Sequence, residues 1–125
     1  MTKPIIFIVD DSALMISRFM EMITETTDDH DIRYAGSYRE AVRQLDSVRP
    51  DLLLLDINLP DGNGISLLRV MRQKYPGIKA VMVSNQADDY YKKLCLSLGA
   101  IGFLDKSKDY ERLPEFLPTV TAPAA

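Results

Sequence analysis

Two adjacent aspartates, Asp10 and Asp11, close the apolar run IIFIV, and a third, Asp56, closes the run LLLL. Carboxylates gathered at one point repel each other unless a cation sits among them. A donor set made only of oxygen suits a hard ion, and Mg²⁺ is the natural candidate. Aspartate is also a nucleophile able to form an acyl phosphate. Phosphoryl transfer asks its site chiefly for positioning and for neutralisation of the phosphoryl oxygens. Mg²⁺ on Asp11 and Asp56 would supply one such charge and Lys106 a second, while Ser84 offers a hydroxyl donor. One aspartate after an apolar run reads equally well as a helix cap or a turn residue. Two in a row, matched by a third after an equivalent run, read as a site.

These side chains meet only if the runs before them lie side by side. Residues 5–9 and 52–55 show no polar alternation, the pattern of strands buried on both faces of a parallel sheet. Further strands are expected at 32–35, 78–83 and 101–104. Between them fall helices. One spans 12–25, with Ile16, Phe19, Met20 and Ile23 inward, and a second follows the cap Ser37, with Ala41, Val42 and Leu45 inward. A third spans 65–75 and is stopped by Pro76-Gly77, and a fourth spans 87–98 and is closed by Gly99. The last, near 109–120, carries Pro114 and Pro118 and should be short or irregular. The stretch DINLPDGNG reads as a shaped loop. Five strands alternating with helices predict an α/β fold, a flavodoxin-like doubly wound five-stranded parallel sheet with helices on both faces. Its order 2-1-3-4-5 sets strands one and three together at the switch point, where Asp10, Asp11 and Asp56 converge. Ser84 and Lys106 then face the same rim.

Composition narrows the alternatives. With 125 residues, 46% hydrophobic and 26% charged, the chain has the size and balance of one globular domain. A net charge of −3 gives no basic field for nucleic acid. No apolar run approaches the roughly 20 residues that span a bilayer, and the start MTKP leads straight into a strand without signal-peptide character. A cytoplasmic location is the expectation. Cys95 is the single cysteine, so an internal disulfide is excluded, and its apolar helical setting with Tyr91, Leu94 and Leu98 makes it a core residue. His30 falls in a turn and is expected to be solvated. Neither GxxxxGK[ST] nor GxGxxG occurs, so a nucleotide phosphate cradle is missing.

Residues 4–117 closely resemble the receiver domain of bacterial two-component response regulators, whether stand-alone or cut from a longer regulator. The resemblance rests on VDDS after the first strand, DINLPDGNG after the third, Ser84 after the fourth and LGAIGFLDK at the fifth. It implies a receiver domain over 1–120 and a linker-like tail over 121–125. It implies that Asp56 takes a phosphoryl group from a phosphohistidine of a histidine kinase or histidine phosphotransfer protein, which makes the domain a switch rather than an enzyme. Mg²⁺ would be held by Asp11, Asp56 and the Asn58 carbonyl, with Asp10 acting through water. Ser84 and Lys106 would contact the phosphoryl group, and Phe103 falls at the aromatic switch position. Leu14, Met15, Arg18 and Met22 on the first helix are the expected partner-docking face. Two neighbours of the site depart from the family pattern: Ser107 stands where proline usually follows the lysine, and Asn85 where a small residue usually follows Ser84. A cis Lys106–Ser107 bond is expected, at a cost of about 2.5–4 kcal/mol without proline, and Asn85 is expected to narrow the entrance to Asp56. Haloacid dehalogenase-type phosphatases and phosphotransferases also use a strand-end aspartate. Their second aspartate, two residues on, is here Asn58, which cannot act as acid or base. A pseudo-receiver serving only protein interaction has no need of the whole set of polar residues.

Overall fold

Branched and aromatic residues in an unbroken row form strand β1 (Ile5–Val9), from which the chain runs through helix α1 (Ala13–Thr26), β2 (Asp31–Ala35) and α2 (Tyr38–Leu45) to β3 (Leu52–Asp56). The computed structural model describes residues 3–85 and 88–120. A small antiparallel hairpin follows, β4 (Asn58–Leu59) and β5 (Gly62–Asn63), then α3 (Gly64–Lys74), β6 (Lys79–Ser84), α4 (Asp89–Ser97), β7 (Gly102–Asp105) and a 3-10 helix (Tyr110–Thr119). The five long strands are all parallel, in the order β2-β1-β3-β6-β7. Numbered among themselves they run 2-1-3-4-5, the expected doubly wound arrangement.

Alternate residues of each central strand feed two cores. Phe7, Leu53, Leu55, Met82 and Phe103 pack with α2, α3 and Cys95 of α4. Ile6, Ile8, Leu52, Leu54 and Val81 pack on the other face with α1 and with Leu113 and Leu117 of the 3-10 helix. Every residue of β3 is buried because both of its faces are covered. The two prolines inside the last element remove two backbone donors, and the segment tightens into a 3-10 helix instead of an α-helix.

Several expectations are corrected. In α1 the buried row is Met15, Phe19 and Ile23, each four residues from the next, while Ile16 and Met20 are only half-buried. Both still pack against the core that α1 shares with the sheet and the 3-10 helix. Val42 of α2 is exposed, leaving Ala41 and Leu45 to hold that helix down. His30 is half-buried and its Nδ1 has no hydrogen-bond partner. The expected start of the fourth helix at Ala87 and the tail 121–125 lie outside the described residues. The described helix α4 is capped by the Asp88 side chain, which accepts from Tyr91 N at 2.9 Å.

The DINLPDGNG stretch is more regular than a loop. Its turn presents Asp61, whose two carboxylate oxygens accept from Tyr38 N at 2.7 Å and Arg39 N at 3.0 Å, capping α2 from across the fold. Those backbone donors hold the Asp61 carboxyl below its ordinary value.

Candidate functional site

The order of strands decides where the carboxylates go. Asp10 follows β1, its N–H tied to Ala35 O at 3.0 Å, and Asp56 ends the adjacent β3. Both are buried, 1% and 3% exposed, whereas Asp11 is exposed at the rim. A carboxylate oxygen from each of the three lies within 4.8 Å of the others. Lys106 reaches in from the end of β7. Its Nζ stands 2.8 Å from Asp10 Oδ2 and 2.9 Å from Asp56 Oδ2. It also donates to Asp10 Oδ1 at 3.0 Å. Backbone donors hold one oxygen of each: Ser12 N donates to Asp10 Oδ1 at 2.8 Å, and Asn58 N to Asp56 Oδ1 at 3.1 Å.

The electrostatics follow from this packing. Burial raises the Asp56 carboxyl above its ordinary value and the Asp10 charge adds to that rise, against the hydrogen bond from Lys106. Burial works against the Lys106 ammonium, yet the two carboxylates outweigh it and raise its pKa. Three carboxylates and one ammonium leave two negative charges in excess when all are ionised, the amount one divalent cation cancels. Asp10 Oδ2 is buried and close to Nζ but receives no aligned hydrogen bond. An oxygen-only donor set with an under-coordinated buried oxygen fits a hard divalent ion.

The other expected residues fall as follows. Ser84 ends β6, fully buried, and its carbonyl accepts from Lys106 N at 3.0 Å. Asn58 opens the hairpin beside Asp56, and Asn85 is exposed just after Ser84. Phe103 is a buried member of the core against α3 and α4. The Lys106–Ser107 bond is trans, contrary to expectation. The lysine reaches both aspartates from a trans bond, so no isomer change is needed to aim it.

Of the expected docking residues, Met15 is a core side chain and is withdrawn from that face. Leu14 remains 60% exposed, Arg18 lies over the Tyr110 ring at 5.7 Å, and Met22 is half-buried against the 3-10 helix side of the core. Sequence reasoning missed Asp105 and Asp109, which shape the turn holding Lys106. The spacing DKSKD, with carboxylates bracketing a serine, was the available signal.

Residues 6–117 match the family described as the response regulator receiver domain. The chain belongs to that family. As a receiver domain it is a component of two-component signalling. Among curated proteins it is 31% identical to the DNA-binding transcriptional activator EvgA of Escherichia coli strain K12 over 105 residues, covering 81% of this chain and 49% of EvgA. It is 34% identical over 108 residues to a protein-glutamate methylesterase/protein-glutamine glutaminase of Treponema denticola, covering 85% of this chain and 29% of that protein. The chain thus spans about half the length of EvgA and less of the methylesterase. Among solved structures, the Mn²⁺-bound form of response regulator Rcp1 superposes with a TM-score of 0.79 at 25% identity, covering 97% of this chain and 99% of that one. The acidic cluster of this receiver domain accordingly fits a divalent metal site.

Proposed function

We propose that this receiver domain is a phosphorylation-driven switch in which Asp56 accepts a phosphoryl group from a phosphohistidine. The observation that carries the reading is the convergence of Asp10, Asp11, Asp56 and Lys106 on one rim, with Lys106 Nζ 2.9 Å from Asp56 Oδ2. Asp11, Asp56 and the Asn58 carbonyl would hold Mg²⁺, with Asp10 acting through water. The ion, when bound, neutralises charge that develops on the phosphoryl oxygens. Lys106 and Ser84 orient those oxygens, and the ammonium moves from the Asp56 carboxylate to the phosphoryl group. The surroundings of Ser84 and Phe103 then change, and so does partner binding.

The donor is a histidine kinase or a histidine phosphotransfer protein, docked on α1 through Leu14, Arg18 and Met22. The domain works in the cytoplasm; among the described residues no helix is long and apolar enough to cross a membrane. It is a phosphoacceptor rather than an enzyme with a separate substrate, and residues 1–120 form the receiver with 121–125 as a linker-like tail. Incubation with phosphoramidate and Mg²⁺, followed by intact mass measurement, tests the reading. A single phosphoryl adduct that needs the metal is expected, and no adduct under any divalent ion sinks it.

Two further results are expected at this site. A ligand that binds only the folded state at 100 times its Kd stabilises by about 2.7 kcal/mol. Mg²⁺ or Mn²⁺ should therefore raise the melting temperature, and Asp11→Asn should remove more of that rise than Asp10→Asn. Equal losses contradict the division between direct and water-mediated ligation. At the entrance, Asn85→Ala should speed phosphorylation by small donors and shorten the phosphoryl lifetime, because in-line attack needs an open trajectory. Unchanged or slower rates refute that steric role.

A further inference from the structure

Lys106 must reach two buried carboxylates from an exposed turn, and a long flexible side chain does so reproducibly only if its backbone is fixed. Its N–H is held by Ser84 O at 3.0 Å, which ties the lysine to β6. The residues on either side of it are tied to each other. Asp105 Oδ1 accepts from Ser107 N at 2.8 Å and from Ser107 Oγ at 2.7 Å, closing a side-chain turn around Lys106. Asp105 N in turn donates to Asp109 Oδ1, and Asp105 O accepts from Asp109 N at 3.0 Å. Asp105 is buried and is not a member of the Asp10, Asp11 and Asp56 cluster. The Ser107 hydroxyl, then its N–H, hold the Asp105 carboxyl below its ordinary value, consistent with an acceptor that stays ionised in this turn.

We propose that Asp105, acting through Ser107, is a positioning residue that aims Lys106 at Asp10 and Asp56. The inference rests on the phosphoacceptor reading for its consequence, but the aim of the lysine is a property of the resting protein. A proline at position 107 would fix its own φ but carries no N–H for Asp105 to accept. In this chain the carboxylate supplies by hydrogen bonding the rigidity that a pyrrolidine ring supplies by covalent structure. The acceptor geometry sets the turn, so an amide oxygen at position 105 keeps both bonds, each weaker than to a carboxylate.

The test follows the Lys106 ammonium by ¹⁵N NMR in metal-free protein and the rate of Asp56 labelling by phosphoramidate with Mg²⁺. Asp105→Ala is expected to abolish the slowly exchanging Lys106 ammonium signal and to slow labelling about tenfold or more, as a misplaced catalytic group does. Asp105→Asn is expected to keep the signal and most of the rate. Should Asp105→Ala fail to fold, Ser107→Ala decides in its place: it removes one of the two bonds and should shift both readouts in the same direction by less. The proposal is overturned if Asp105→Ala keeps both readouts, if Asp105→Asn fails as Asp105→Ala does, or if Ser107→Ala in that deciding role moves neither. If the unaltered protein takes no phosphoryl group, the phosphoacceptor reading fails, and the ammonium signal alone still decides whether Asp105 aims the lysine.

Discussion

Asp56→Asn is expected to abolish phosphoryl labelling while leaving the fold intact and more stable at neutral pH. The amide keeps the shape of the carboxylate but has no nucleophilic oxygen, so the adduct seen with phosphoramidate should vanish. Persistent labelling at the original rate would move the acceptor elsewhere. The stability half of the expectation comes from the direction of the Asp56 shift. Burial, with Asp10 close by, raises its pKa above the ordinary 3.8. A carboxyl raised in the folded state costs stability when ionised: the cost is full above the folded value, shrinks as pH falls below it, and is gone below the unfolded value. The neutral amide removes that cost and forfeits the ion pair with Lys106, and the raised pKa says that burial and repulsion outweigh the pair. In metal-free buffer, the melting temperature of Asp56→Asn should therefore exceed that of the unaltered protein at pH 7, with the gap closing as pH falls towards the carboxyl's ordinary range. A lower melting temperature at pH 7 would mean that the Lys106 pair dominates.

Gly64→Ala is expected to be the most damaging single-methyl change at the site. A Cβ at Gly64 would lie 2.0 Å from Asp56 O and 2.9 Å from both Asp56 C and Ile57 Cα. Those are backbone atoms that cannot swing aside. Gly64 N also donates to Ile57 O at 2.7 Å, closing the hairpin back onto the end of β3. The end of β3 or the start of α3 must therefore move, and Asp56 moves with it. A cost of about 3 kcal/mol is expected, at the upper end for point substitutions, together with loss of most phosphoryl labelling. Two other glycines set the scale. At Gly62 a Cβ meets Tyr38 Cγ at 2.7 Å and Cβ at 2.9 Å, the root of a side chain rather than a strand backbone, so the penalty should be substantial but smaller than at Gly64. At Gly77 nothing lies within 4 Å, so Gly77→Ala should leave the melting temperature nearly unchanged. Chemical denaturation of the three variants checks the ranking, and a Gly64→Ala protein as stable as Gly77→Ala would refute the close approach.

The sequence by itself determined the elements and the rim. Short apolar runs bounded by turn signals fit strands covered on both faces, and Asp10, Asp11, Asp56, Ser84 and Lys106 come next to the ends of the expected strands, so the parallel arrangement brings them to one edge. The prolines at 114 and 118 likewise announced an irregular last element, because a missing N–H acts locally. What only the tertiary structure decided depends on neighbours distant in the chain. Periodicity in α1 named Ile16 and Met20 as inward, and both pack half-buried against the core, yet Met15 joins Phe19 and Ile23 in the fully packed row and so leaves the expected docking face. The cap that Asp61 places on α2 crosses 23 and 22 positions of sequence, and no local pattern encodes it. The trans bond after Lys106 is the opposite case, the local default before serine; what strand order decides is that the lysine then reaches Asp10 and Asp56.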